Sequence, residues 1–225
     1  LEPNEAIISD LNKDLIEAYK IVKSHPKELI SLLKKYEKQH SKEFYLKIRD
    51  EYNANKLDKI NKAAHLIYLN KTCFNGLYRV NSKGEFNVPF GQHKKFTVNK
   101  EGILAASKIL KKTKIEHTDF TQVLKNAKKG DFVYFDPPYY PLNTGSNFTT
   151  YTRENFLEKE QEKLKETFKK LDARGCILML SNSDTPYIRK LYKEWNITKV
   201  SAKRFINCIA EKRGDVFEVV VRNYK

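Results

Sequence analysis

The sequence is poor in the residues on which several classes of protein depend. Its three cysteines, Cys73, Cys176 and Cys208, are far apart and odd in number, and no Cys/His spacing is typical of a zinc site. This pattern excludes a disulfide framework and favours a reducing cytoplasm, and we expect no bound metal. No apolar run approaches the ~20 residues that span a membrane, and no signal peptide is present. We therefore expect a cytoplasmic protein with no membrane partner.

Two catalytic signatures are also absent. The eight glycines form neither a phosphate-cradling loop nor the tight turn that carries a nucleophilic serine. Enzymes whose chemistry depends on either loop are therefore excluded. The first predicted strand begins at Ala6, and we expect a segment upstream of it to be missing.

Positive charge is what the sequence has in excess. It contains 43 Lys and Arg residues against 28 Asp and Glu residues, a formal net charge of +15. Such a charge fits a polyanionic partner, although a solvated Lys-rich surface would give the same composition. The 225 residues are enough for one large domain or for a core with an inserted smaller domain.

One stretch combines a buried strand with polar groups at its end. Residues 132–135 are apolar without alternation, which predicts a central parallel strand buried on both faces. Asp136-Pro137-Pro138-Tyr139 follows directly. Because the two prolines lack an N–H, the carbonyls of Asp136 and Pro137 are free to face a ligand. Ligands in open α/β sheets bind at the carboxyl ends of strands, so this is a candidate site.

Alternating strand and helix patterns surround this stretch. Predicted strands lie at residues 6–10, 114–118, 132–135, 176–180, 197–202 and 217–221. The last two have no crossover helix between them, so we expect them to pair antiparallel. Helical patterns that begin near Pro26, Ser41 and Leu57 are too many for a simple crossover, which predicts an inserted helical domain.

Asp10 ends the first predicted strand and precedes a helical pattern that includes Leu11 and Leu15. An acid in this position holds ribose hydroxyls in many dinucleotide-binding folds. A helix N-cap would explain the same residue equally well. The sequence alone leaves both interpretations open.

Residues 73–95 form a second segment of interest. Ser82 to Glu85 separates two short predicted strands, which indicates a β-hairpin. Its aromatic, Asn, Arg and Lys side chains suit contacts with bases and phosphates, although an ordinary hairpin packed on helices would share this composition. Two loops are equally ambiguous: residues 140–152 could be a lid or disordered, and residues 204–214 could bind phosphate or be a solvated basic loop.

The chemical groups at residues 136–139 limit the class of substrate that could bind there. No partner acid or histidine for general acid/base work is evident near Asp136, and clustered metal ligands are lacking. What remains is a carboxylate, the carbonyl of Pro137 and the ring of Tyr139, which suit a planar ligand with an exocyclic amine. Accepting the hydrogens of such an amine stabilises the positive charge that develops as its nitrogen attacks an electrophile. A base in a duplex must be flipped out to reach this site.

These segments resemble a known family. Asp136-Pro137-Pro138-Tyr139 resembles the catalytic motif of amino-group DNA methyltransferases, and the hairpin of residues 74–91 resembles the recognition hairpin of the Dam-type adenine-N6 methylases. Residues 9–12, 148–151 and 180–183 are also similar to family segments, so that the likeness covers essentially the whole chain.

The resemblance implies an α/β fold with two domains. We expect a Rossmann-like methyltransferase sheet with an antiparallel last strand and with its first central strand missing. The catalytic domain would comprise residues 1–24 and 112–225, and residues 25–111 would be an inserted helical and hairpin domain that recognises DNA.

The resemblance also implies roles for the residues of the catalytic domain. Asp136 and Pro137 would bind the amine of a flipped adenine, with Pro138 completing the motif, and Tyr139 would stack on the base. The cofactor would be S-adenosylmethionine. Its binding residues would be Asp10 at the ribose, Asp119 and Phe120 near its adenine, and Asp136 at the border of its pocket.

In the hairpin the resemblance implies contacts with double-stranded DNA. Arg79 would contact a guanine, and Leu77 and Pro89 would meet apolar base edges. The remaining implied contacts are Phe74 and Asn75 at the flipping site and His93 and Lys94 on the backbone. The implied product is N6-methyladenine in GATC, made by a monomer, as in restriction-modification systems.

The sequence departs from the family pattern in two ways. Phe74 and Gln92 stand where some members have Tyr and Arg, which we expect to weaken base flipping and phosphate binding. The family also begins with an aromatic–Lys segment and a Gly-rich loop, and neither is present here. We therefore expect an incomplete cofactor pocket and weak or no activity from these 225 residues alone.

Three alternatives remain at this stage. The protein could be a truncated relative that binds DNA without catalysis, or an enzyme acting on another planar amine or amide in RNA or protein. A cytosine-N4 methyltransferase is the third alternative, although such enzymes more often have Ser at the position of Asp136.

Overall fold

The computed structural model of the chain describes residues 3–91, 93–142, 156–203 and 215–225. Gln92, residues 143–152 of the predicted lid (residues 140–152) and the basic segment 204–214 lie outside the described residues. The chain divides into two compact units, unit 1 at Leu1–Asp119 and unit 2 at Phe120–Lys225. This boundary differs from the predicted discontinuous catalytic domain, which stays a prediction.

Unit 1 consists of five α-helices, a short two-stranded sheet and the hairpin segment, in its described residues. In chain order its elements are β1 (Ala6–Asp10), α1 (Lys13–Ser24), α2 (Pro26–Gln39), α3 (Lys42–Asn53), α4 (Lys59–Thr72), α5 (Lys100–Leu110) and β2 (Thr113–His117). The sequence explains where the helices begin: Pro26 occupies the first turn of α2, and side chains of Ser41 and Asp58 cap α3 and α4. β1 and β2 pair in parallel, with Asp10 opposite His117.

The helices of unit 1 bury one continuous core. Leu29 of α2, Tyr45 of α3 and Tyr68 of α4 are fully buried in it. Phe86 and Val88 of the hairpin are buried in the same core. Each such side chain contributes about 1.5–3 kcal/mol of burial free energy, so the hairpin is an integral part of unit 1.

Unit 2 is a four-stranded sheet with helices. Its elements are α6 (Val123–Asn126), β3 (Phe132–Phe135), α7 (Glu158–Ala173), β4 (Ile177–Ser183), α8 (Pro186–Leu191), β5 (Asn196–Lys203) and β6 (Asp215–Arg222). The strand order is β3-β4-β6-β5, with β3 parallel to β4 and with β6 antiparallel to both of its neighbours. The antiparallel pairing of the last two strands is confirmed, as is the mixed α/β fold class.

The predicted central position of β3 is wrong for this sheet. β3 lies at its edge, with β4 as its strand neighbour among the described residues. Phe135 is buried against α7, but Phe132 and Tyr134 on the other face are 49% and 52% exposed. The continuous apolar pattern arises because aromatic residues occupy the open face as well, so that the pattern cannot distinguish this strand from one covered on both faces.

Candidate active site

The end of β3 places Asp136 beside Ser181 of β4. Phe135 is paired with Leu180 in the parallel register, so the residues that follow them are neighbours. The hydroxyl of Ser181 donates to Oδ1 of Asp136 at 2.7 Å, and the hydroxyl of Tyr134 lies 3.0 Å from Ser181 Oγ. These contacts fix the orientation of the carboxylate, while Asp136 itself is exposed and can accept further hydrogen bonds from a ligand.

Tyr139 is half-buried next to this carboxylate. Its hydroxyl donates to Oε2 of Glu218 on β6 at a long distance of 3.5 Å. Burial raises the pKa of Tyr139; a hydrogen bond with Ser181 acts in the opposite direction, and the carboxylates of Asp136 and Glu218 raise the pKa further. The phenol is therefore neutral near pH 7, which suits an aromatic ring that stacks on a base.

Tyr140, the residue after the motif, is held by aromatic packing. The ring of Tyr140 stacks on Tyr187 with centroids 4.5 Å apart and an interplanar angle of 27°. Its hydroxyl donates to Oε1 of Glu158 at 3.0 Å. The segment after Asp136 is thus anchored on the side of α7 and α8.

Asp10 lies at the carboxyl end of β1 and does not cap a helix. The N-cap of α1 is Asn12, whose Oδ1 accepts the N–H groups of Asp14 and Leu15 at 3.0 and 3.1 Å. The N–H of Asn12 in turn donates to Oδ1 of Asp10 at 2.6 Å. The N-cap interpretation of Asp10 is therefore wrong, and its carboxylate is exposed.

The other two predicted cofactor residues fall on either side of the boundary between the units. Asp119 is half-buried and follows β2 in unit 1. Phe120 begins a short 3₁₀ segment, Phe120–Gln122, in unit 2. Its ring packs edge-on against Phe156 at 5.9 Å, and Lys163 Nζ lies 5.2 Å from its centroid.

The hairpin is present, but its strands are reduced to bridges. Val80 pairs with Phe86, and Cys73 pairs with Phe90, both antiparallel. At the tip, Asn81 Oδ1 accepts the N–H groups of Lys83 and Glu85, each at 3.0 Å. These side-chain bonds close the turn in place of a longer ladder.

The predicted DNA-contacting residues of this hairpin segment differ from its core residues in exposure, although Leu77 also packs against the core. Phe86 and Val88 face the core, whereas the predicted contacts are exposed or half-buried. Exposed are Phe74, Asn75, Pro89, His93 and Lys94, and half-buried are Leu77 and Arg79.

Arg79 is oriented across the hairpin by Asn87. Its Nε donates to Asn87 Oδ1 at 2.6 Å, and its NH2 donates to the Asn87 carbonyl at 3.0 Å. Asn87 N–H donates to the Arg79 carbonyl at 3.1 Å. The guanidinium therefore has a defined direction, which a residue that contacts one particular base edge needs.

Within the described ranges, no helix has the length and apolar character of a membrane span. The same part of the chain contains no group of three or more His, Cys, Asp or Glu side chains placed to hold a metal ion.

Comparison with known proteins decides the family. Residues 1–206 match the family described as D12 class N6 adenine-specific DNA methyltransferase. The Type II methyltransferase M1.LlaDCHI of Lactococcus lactis subsp. cremoris is 44% identical, with 100% of this chain and 81% of the relative aligned. The Type II methyltransferase M.MjaIII of Methanocaldococcus jannaschii is 46% identical over 99% of this chain and 81% of its own length. The DNA adenine methylase of Vibrio cholerae is 34% identical over 95% and 78%, respectively.

The chain belongs to the D12 class of N6 adenine-specific DNA methyltransferases. Enzymes of this class use S-adenosylmethionine and act on DNA. The described residues fit that cofactor in kind, because exposed carboxylates lie at the carboxyl ends of two parallel strands: Asp10 is the last residue of β1, and Asp136 directly follows β3. Such strand ends are where cofactors bind in open α/β sheets.

The structure adds residues to this methyltransferase's site that sequence reasoning gave no role. Ser181 and Glu218 contact the Asp-Pro-Pro-Tyr motif, and Asn87 orients Arg79. For Ser181 there was a signal, since the apolar strand 177–180 ends in three polar residues. Glu218 and Asn87 have no comparable signal, because their roles depend on contacts between elements.

Proposed function

We propose that this methyltransferase transfers a methyl group to N6 of adenine in GATC sequences of double-stranded DNA, with the adenine flipped out of the duplex. The observation that carries the proposal is the Asp136 carboxylate, held by Ser181 at 2.7 Å at the end of β3 and followed by the neutral ring of Tyr139. This arrangement supplies hydrogen-bond acceptors and a stacking surface for a planar base with an exocyclic amine.

The residues of the motif act on the amine nitrogen. Asp136 and the carbonyl of Pro137 accept its two hydrogens, which returns electron density to the nitrogen and stabilises its positive charge during transfer. Tyr139 stacks on the flipped base, worth ~1–3 kcal/mol, and so offsets part of the cost of unstacking. When bound, S-adenosylmethionine would supply the electrophilic methyl group; the S–CH3 bond would break as the N6–CH3 bond forms, leaving S-adenosylhomocysteine, and N6 would then lose one proton.

We assign four residues to the cofactor. Asp10 would hold the ribose hydroxyls, and Asp119 and Phe120 would lie near the adenine of the cofactor, with Asp136 at the border of its pocket. The exposed carboxylate of Asp10, freed from capping by Asn12, supports the first of these roles.

DNA recognition is assigned to the hairpin within residues 25–111, with residues 1–24 and 112–225 as the catalytic domain of a monomer. Arg79 would read guanine, and Leu77 and Pro89 would contact apolar base edges. Phe74 and Asn75 would act at the flipping site, and His93 and Lys94 would bind phosphates. The exposure of the hairpin residues and the fixed direction of Arg79 support this assignment.

Methyl transfer from labelled S-adenosylmethionine tests the proposal. Duplexes that contain one GATC site are compared with duplexes in which single bases of that site are exchanged, and the nucleosides are analysed for N6-methyladenine. Label confined to GATC duplexes supports the proposal, and equal labelling of both sets contradicts the sequence specificity. Calorimetric titration with S-adenosylmethionine separates an enzyme from a DNA-binding relative, which would bind duplex but release no heat with the cofactor.

A further inference from the structure

Two amide side chains lie in the interior of unit 2, close to the catalytic motif. Gln161 of α7 and Asn182 of β4 are both 0% exposed. Polar side chains are buried so completely only when their donors and acceptors are satisfied. The roles proposed above for the Asp-Pro-Pro-Tyr motif and the hairpin include neither of these two residues.

Their hydrogen bonds form a directed chain between the backbone of the motif and that of the residue directly after it. Gln161 Nε2 donates to the carbonyl of Pro138 at 3.1 Å. Asn182 Nδ2 donates to Gln161 Oε1 at 3.1 Å, and Asn182 Oδ1 accepts the N–H of Tyr140 at 2.9 Å. Each amide both donates and accepts, so the orientation of each is fixed by the other.

The backbone groups at the two ends of this chain flank Tyr139. The carbonyl of Pro138 belongs to the peptide group before Tyr139, and the N–H of Tyr140 belongs to the peptide group after it. A third buried side chain, Ser183, donates its hydroxyl to the carbonyl of Tyr140. The backbone on both sides of Tyr139 is therefore held by side chains from β4 and α7.

The sequence of residues 136–140 explains why side chains, and not a neighbouring strand, bind the backbone around Tyr139. β3 ends at Phe135, and Pro137 and Pro138 have no N–H with which to continue a strand ladder. Without the amide chain, the polar backbone groups around Tyr139 would lose partners that the sheet cannot replace.

We propose that Gln161 and Asn182 are positioning residues that hold the backbone of Tyr139, and with it the ring, in the place required for the target adenine. This inference rests on the proposed methylation of a flipped adenine. A displacement of ~1 Å in a positioning contact can cost ~10²-fold in rate. Initial DNA binding, assigned to the hairpin, does not depend on the amide chain.

The variant Gln161→Met tests this role, because it keeps the side-chain volume and removes both amide hydrogen bonds. We expect kcat on a GATC duplex to fall roughly 30- to 100-fold, with the Kd for DNA unchanged within about twofold. With 2-aminopurine at the target position, the fluorescence increase on flipping should be smaller than for the wild-type protein.

Thr167→Val is the matched control. Thr167 lies on the same helix, is also buried, and donates to the carbonyl of Lys163 at 2.9 Å. Its replacement removes a buried hydrogen bond that does not involve the motif, so kcat and flipping should stay near wild-type values. Wild-type kcat in Gln161→Met, or an equal loss in Thr167→Val, would overturn the inference.

Two further measurements cover the remaining outcomes. If Gln161→Met does not fold, Ser183→Ala decides, since it removes only the hydroxyl that donates to the carbonyl of Tyr140 and lies 3.4 Å from Asn182 Oδ1. Its kcat should fall several-fold, and an unchanged kcat contradicts the inference. If the wild-type protein methylates no adenine, the proposed function fails, and amide hydrogen exchange still tests the chain. The N–H of Tyr140 should exchange faster in Gln161→Met than in Thr167→Val, and equal protection would contradict the positioning role.

Discussion

Ser181 contacts the Asp136 carboxylate through its hydroxyl. It donates to one oxygen of Asp136 and receives support from Tyr134. We expect Ser181→Ala to lower kcat roughly 10- to 100-fold, because a hydrogen bond to a charged group contributes about 1.5–3 kcal/mol. Steady-state methylation of a GATC duplex measures the effect, with Ser201→Ala on the exposed surface of β5 as the control. Equal kcat values for the two variants would show that Ser181 does not orient Asp136.

Substitutions at Asp10 and Asn12 should separate the proposed cofactor binding from the stability of α1. Asp10→Asn keeps the oxygen that accepts the Asn12 N–H but removes the charge offered to ribose hydroxyls. We expect it to weaken S-adenosylmethionine binding about tenfold or more while leaving the free energy of unfolding unchanged.

Asn12→Ala should lower the free energy of unfolding by about 1 kcal/mol, because the N-cap of α1 is lost. Its affinity for S-adenosylmethionine should stay unchanged. Calorimetric titration and denaturant unfolding of both variants check this contrast. A cofactor affinity in Asp10→Asn equal to that of the wild-type protein would remove Asp10 from the cofactor site.

Substitutions in the hairpin should separate sequence specificity for DNA from non-specific affinity for DNA. Arg79, oriented by Asn87, is assigned to a guanine, and Lys94 is exposed and assigned to a phosphate. Arg79→Ala should relax discrimination at one base pair by about 1–3 kcal/mol. Lys94→Ala should weaken binding to all duplexes alike and reduce the salt slope by about 1.

Competition binding with a GATC duplex and its single-base variants, at several salt concentrations, measures both effects. If Arg79→Ala weakens all duplexes equally, Arg79 binds the backbone and does not read sequence.

The helices and strands differ in how well the sequence predicts them. The helices from α1 to α5 follow from apolar spacing and, at α2 and α3, from Pro26 and Ser41, and the antiparallel pair β5–β6 follows from the missing crossover. The position of β3 could not be predicted, because Phe132 and Tyr134 look like core residues wherever they lie. The assignment of the N-cap to Asn12 instead of Asp10 depends on two residues of spacing, which periodicity does not resolve.

Across the whole molecule, the residues that support the site come from distant parts of the chain. Ser181 is 45 residues from Asp136, Gln161 is 23 residues from Pro138, and Asn182 is 42 residues from Tyr140. No local pattern marks such pairs, because they meet only when β4 and α7 pack beside β3. The motif could therefore be predicted from the sequence, whereas the contacts of the side chains that hold it could not.

The proposed function depends most on Asp136, whose carboxylate would accept a hydrogen bond from the amine of an adenine in DNA. The most direct test compares methyl transfer by the wild-type protein and by Asp136→Ala on a duplex with a single GATC site. We predict that N6-methyladenine forms with the wild-type protein and that its rate falls by at least ~10²-fold in Asp136→Ala, with DNA affinity unchanged. Full activity in Asp136→Ala would contradict the account.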